Sequence, residues 1–203
     1  MTGAATPAVQ IRPATPADHT TIALLTIAAY RADWQVTPGH PYERVLADVA
    51  GRDGAGELLV AIAPELSRRS AGPASPAAGR VVGAVLFVLP GSRYAELAGP
   101  GEAEFRMLAV HPDAQGRGVG DALVRACLDR ATARGCRAVR IFTRDTAAAA
   151  QRLYQRLGFV RTPARDWRPM RGVNLVALRF DLPAPHRPDR PLTLSNLDRG
   201  GGA

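Results

Sequence analysis

Residues 104–123 read EFRMLAVHPDAQGRGVGDAL, an apolar strand run that passes through His111-Pro112 into a glycine-rich turn and then a helix. Glycines at 116, 118 and 120 let the backbone come close to a ligand, and the first N–H groups of the following helix point at the same spot. A helix N-terminus is a ready anion site, and Arg117 can add a charge-assisted contact, so a phosphate is expected there. Two familiar phosphate motifs fail: a dinucleotide fingerprint starting at Gly116 needs glycine where Asp121 stands, and a P-loop needs a lysine, which this chain lacks.

The elements on either side can be read from pattern. Residues 9–12 make a short apolar strand, and Thr15-Pro16-Ala17-Asp18 supplies an N-cap, a first-turn proline and an acid for a helix over 16–30. After a breaker-rich loop from Trp34, a second helix covers 42–50. Runs at 58–63 and 81–89 read as strands, with a Ser/Pro/Gly/Ala-rich loop over 67–79 between them. The strand 102–110 alternates, with Glu104, Arg106, Leu108 and Val110 on one face and Phe105, Met107 and Ala109 on the other. Val119, Leu123, Ala126, Cys127 and Arg130 stripe the next helix, and residues 138–143 make a strand. A helix follows over 146–157, stopped by Gly158, then an antiparallel pair, 159–165 and 173–182, joined by a polar loop over 166–172. This order excludes a sandwich or a helical bundle and gives a mixed α/β sheet with helices on both faces, in a single domain over residues 9–182. Residues 1–8 are expected to be a flexible N-terminus and 183–203 a disordered tail.

Composition narrows the function. In 203 residues, 46% hydrophobic and 22% charged, no apolar run approaches the roughly 18 residues of a membrane span. Residues 1–10 do not resemble a secretory signal, so a cytoplasmic location is expected. Cys127 and Cys136, and the scattered His19, His40, His111 and His186, lack redox or metal-ligand spacing, and no metal site is expected. The net charge is +8 and all 26 basic residues are arginine. Residues 117–171 hold thirteen arginines against four aspartates, a basic half that wants an anionic partner. Its charge is spread over helices and strands with few interleaved aromatics, which argues against nucleic acid.

Residues 104–123 resemble the acetyl-CoA-binding motif of the GNAT superfamily of N-acetyltransferases, Gln/Arg-x-x-Gly-x-Gly/Ala, through Gln115, Gly118 and Gly120. Residues 149–159, AAQRLYQRLGF, are similar to a second motif of that family, with an alanine, a tyrosine and a Gly-Phe pair at this spacing. The resemblance implies a mostly antiparallel central sheet splayed after the fourth strand. It implies a pantetheine arm along Leu108, Ala109 and Val110, and a pyrophosphate at Gln115, Gly116, Arg117, Gly118, Val119, Gly120 and Asp121. Thr146, where the family often has asparagine, would be a further cofactor contact and the helix cap.

An acetyl transfer to an amine needs a base, an oxyanion donor and an acid for the departing thiolate. By the resemblance these are Glu104, the Val110 N–H and Tyr154, with His111 a weaker alternative to Glu104 as base; if Glu104 instead pairs with Arg106 or another arginine, a water chain takes the amine proton. Substrate selection would fall to residues 34–42 and 165–171, with Trp34, His40, Tyr42, Trp167 and Met170. The implied partners are acetyl-CoA and a primary amine of a small molecule or a peptide N-terminus, with a homodimer allowed and neither nucleic acid nor membrane implied. The alternative is a non-catalytic acyl-CoA-binding regulatory module that keeps the glycine turn.

Overall fold

The computed structural model describes residues 9–64 and 79–183. The expectations for residues 1–8, for most of the 67–79 loop and for the C-terminal tail lie outside them. Eight strands, β1 (Gln10–Pro13), β2 (Glu57–Ala63), β3 (Arg80–Val88), β4 (Glu102–Val110), β5 (Ala138–Arg144), β6 (Val160–Arg161), β7 (Trp167–Met170) and β8 (Val173–Asp181), form one sheet. Its order is β1-β2-β3-β4-β5-β8-β6, with β7 also on β8. Every pairing is antiparallel except β4 with β5, which is parallel and limited to Glu102–Ala138, Ala103–Val139 and Glu104–Arg140. Beyond Glu104 the two strands separate, as the resemblance implied.

Helices cover both faces. α1 (His19–Ala32) follows a 3₁₀ turn at Pro16–Asp18, where the Asp18 carboxylate accepts from the Thr15 N–H and hydroxyl and pairs with Arg12. It buries Ile22, Leu25 and Ala29 against Leu58, Val60, Ala84 and Leu86. The expected helix over 42–50 is two pieces, α2 (Tyr42–Ala47) and α3 (Val49–Asp53). Asp48 leaves the helical region, and its side chain accepts from the Gly51 N–H to start the second. On the opposite face α4 (Val119–Ala133) packs Val119, Leu123 and Cys127 onto β3 and β4, beside α5 (Ala148–Arg156). The approach of α4 depends on Gly83, where a Cβ would stand 2.9 Å from Val119 Cγ1 and 3.0 Å from Leu123 Cδ1.

Two expectations change. The strand over 159–165 is only the two residues of β6, because a 3₁₀ turn at Pro163–Arg165 interrupts it, and the expected loop over 166–172 contains β7. More consequential is β4. Ala84 pairs with Ala109 and Leu86 with Arg106, so β4 carries one extra residue, and Met107 takes a φ of +52°. This bulge reverses the alternation. Phe105, Leu108 and Val110 pack into the α4 side, whereas Ala109 packs under α1 and Met107 beside Tyr30 and Tyr42. Glu104 therefore does not share a face with Leu108 and Val110.

Candidate active site

The opening between β4 and β5 is a cleft of about 670 Å³. One wall is β4, where the His111 N–H donates to Val82 O on β3. Strand alternation then turns the N–H of Val110 to the opposite edge, which β5 has left. Leu108, Ala109 and Val110 all line the cleft.

One end of the cleft is the glycine turn. Gly116 and Gly118 adopt φ of +71° and +79°, where a side chain is strained, and a Cβ at either would meet nothing within 4 Å. From Gly116 through Asp121 no backbone N–H donates to a carbonyl among the described residues, and the first such bond is Ala122 to Gly118 O. These amides converge at the N-terminus of a 15-residue helix, a cradle for an anion. Gln115, Gly116, Gly118, Val119, Gly120 and Asp121 line the cleft. Arg117, expected to contact the phosphate, is exposed and does not line it. The Asp121 carboxylate, unfavourable beside an anion, is paired 2.6 Å from Arg125. Arg152 and Arg156 of α5, which sequence reading passed over, do line the cleft; their four-residue spacing on one helix face was the available signal.

Tyr154 lines the cleft while its ring is held 5.9 Å from Phe105 and 5.7 Å from Phe159. The Gly-Phe pair fixes this arrangement. Gly158, at φ +96°, donates its N–H to Gln155 O, and the Phe159 N–H returns to Tyr154 O, a Schellman closure that brings Phe159 back over the tyrosine. Burial pushes the phenol well above its ordinary value, with Tyr30 and Cys127 adding to the effect, so it is protonated at neutral pH.

Glu104 is placed elsewhere. Its side chain is 0% exposed and does not line the cleft. Oε2 accepts from the N–H groups of Glu96, Leu97 and Ala98 at 3.0, 2.7 and 3.1 Å. Burial raises its carboxyl, against the lowering by those N–H groups and by Arg106. The carboxylate that reaches the cleft from this cluster is Glu96, held 2.6 Å from Arg106. His111 accepts from the Asp113 N–H and contacts Arg80, outside the cleft. Thr146 is exposed and lies outside the cleft too, and the N-cap position of α5 is not Thr146 but Ala147, with no side-chain cap. The far end of the cleft is lined by His40 and Tyr42 after α1, and by Trp167 and Met170 of β7; Trp34, 89% exposed, is not part of it. Among the described residues no cluster of His, Cys, Asp or Glu could hold a metal, and no helix is long and apolar enough to cross a membrane.

A sheet opened between β4 and β5, with a free amide turn at one end and a buried tyrosine in its wall, defines an acyl-transfer fold. Residues 53–159 match the acetyltransferase (GNAT) family, and the chain belongs to that family. It is 36% identical over 73 residues to mycothiol acetyltransferase of Saccharopolyspora erythraea, a match covering 36% of this chain and 24% of that protein. The chain thus matches about a quarter of the length of this curated relative. Among solved structures it is similar to the "histone acetyltransferase HPA2 and related acetyltransferase" of Corynebacterium glutamicum, with a TM-score of 0.62, 23% identity and 88% and 99% of the two chains covered. It is also similar to yncA of Salmonella typhimurium, described with its cofactor acetyl-CoA, with a TM-score of 0.57, 23% identity and 90% and 98% covered.

Proposed function

We propose that this GNAT protein transfers an acetyl group from acetyl-CoA to a primary amine by direct attack through a tetrahedral intermediate. The observation that carries the reading is the run of unpartnered amides from Gly116 to Asp121, continuous through one cleft with the free edge of β4 and Tyr154. In this reading those amides, with Arg152 and Arg156, receive the phosphates of acetyl-CoA, and the β4 edge receives the pantetheine arm. Arg117 and Thr146 have at most an outer role.

The amine, once deprotonated, attacks the thioester carbonyl carbon. As the C–N bond forms, the carbonyl electron pair moves to oxygen, and the Val110 N–H donates to that oxyanion. Collapse breaks the C–S bond, and Tyr154 gives its proton to the departing sulfur and regains one from solvent. Glu104 sits behind the wall, so we assign the amine protons to cleft water and Glu96, with Glu104 fixing the backbone at 96–98 as a positioning residue.

The first test is thermal unfolding with and without saturating acetyl-CoA. A ligand at 100 times its Kd stabilises by about 2.7 kcal/mol, so a clear upward shift is expected, lost in Gly118→Asp. An absent shift with wild-type protein overturns the reading. An amine screen then compares wild type with Tyr154→Phe, and retained function in that variant would favour a regulatory acyl-CoA module.

A further inference from the structure

Arg144 is the last residue of β5 and lines the cleft at the end away from the glycine turn. Its Nη1 donates to Gln35 O, in the loop after α1, and its Nη2 to Gly172 O, in the turn between β7 and β8, both at 3.4 Å. These are long contacts to neutral carbonyls. Its Nε is buried and has no hydrogen-bond partner, and the guanidinium forms no ion pair among the described residues. Arg106, also at this end, is satisfied by Glu96 and by Tyr94 O. A permanently charged fork of five donors, with one donor buried and unpaired, lacks a planar anion.

We propose that Arg144 binds the carboxylate of the acceptor, so that the substrate is a small amine that also carries a carboxylate, as α-amino acids do. The proposal rests on the acetyl-transfer reading for its chemistry. Carboxylate geometry matches the guanidinium fork bidentately. Phosphate chemistry has its own receptor in the amides at the opposite end, with Arg152 and Arg156 on α5. Small size fits the contacts of Arg144, since it ties the loop after α1 to the β7–β8 turn across this part of the cleft. The Phe142 and Trp167 rings, 6.0 Å apart, offer an apolar surface at the same end for a side chain.

The test measures acetylation of the α-amino acids and of their α-carboxamides at saturating acetyl-CoA. Calorimetric binding of the same pairs to CoA-saturated protein accompanies it. Wild type is expected to prefer at least one acid over its amide by on the order of 10- to 100-fold. Arg144→Gln should abolish that preference, mostly through KM, and leave the amide and the acetyl-CoA thermal shift unchanged; Arg144→Lys should restore part of it. Equal use and binding of acids and amides by wild type overturns the proposal. So does a loss in Arg144→Gln that falls equally on acid, amide and acetyl-CoA, or a peptide with glutamate second preferred over every amino acid. If acids bind in an Arg144-dependent way and none is acetylated, the carboxylate site stands and the acetyl-transfer reading falls.

Discussion

The ring of Tyr154 is fixed between Phe105 and Phe159, yet no protein group accepts its hydroxyl hydrogen among the described residues. Packing and chemistry therefore separate cleanly. Tyr154→Phe should lower kcat by roughly 10²- to 10⁴-fold, with the thermal midpoint and the acetyl-CoA shift nearly unchanged. Glu104 is the converse case. Its raised carboxyl means that ionisation is disfavoured in the fold, so its contribution to stability falls as pH rises through the carboxylate range. Glu104→Gln, which keeps an acceptor for three N–H groups, should unfold in urea within about 1 kcal/mol of wild type and retain turnover. Glu104→Ala orphans those donors and should cost about 2–4 kcal/mol. A Gln variant that folds normally and loses turnover would restore Glu104 as the base. The sequence could not separate these roles, because the extra residue at Met107 is invisible to a period of two and is defined only by the partner strand's register.

The glycine turn was legible as an element because its requirements are local: positive φ at 116 and 118, and a helix start free of competing bonds. Gly118→Ala puts a Cβ in the left-handed region at about 1–2 kcal/mol, and the acetyl-CoA thermal shift should shrink with it. Gly83 reports on the same helix from below. Gly83→Ala should cost about 1–3 kcal/mol through overpacking, since the Ala109 carbonyl, 3.2 Å from the new Cβ, is backbone and cannot turn away. Calorimetry should show weaker acetyl-CoA binding as α4 is displaced. β7 was missed for an equally physical reason. Trp167-Arg-Pro-Met carries a proline and no alternation, so its strand character comes entirely from pairing with β8. The α2–α3 break was missed because Asp48 reads as an ordinary helix residue until its side chain is seen capping Gly51.

For the whole molecule, element order was readable along the chain, but the splay between β4 and β5 entered through family resemblance, since no composition rule marks where two strands part. The short parallel ladder is cross-braced by charge from its first rung, Glu102–Ala138, to its last, Glu104–Arg140. Glu102 accepts from Arg140 at 2.6 Å and from Arg179 at 2.7 Å. Burial alone would push this carboxyl up, but hydrogen bonds from Arg140 and the Gly99 N–H, with the charges of Arg140 and Arg179, bring it down from 4.5 to about 2. Because the folded value lies below the unfolded one, Glu102 contributes stability that is present above pH 4.5 and is lost as pH falls towards 2. Urea titrations across that window should show the loss in wild type and a flatter profile in Glu102→Gln.

With only three residue pairs joining β4 to β5, the sheet is a book of two boards, β1–β4 and β5–β8, bound along a short spine. In the proposed reading, a long thin molecule lodged between the boards supplies the backbone partners that no strand supplies there, and so acts as the missing stitching. Amide exchange should then slow in both boards when acetyl-CoA is added, including at residues far from any ligand atom. The empty protein should let the β5–β8 board open on its own before the other.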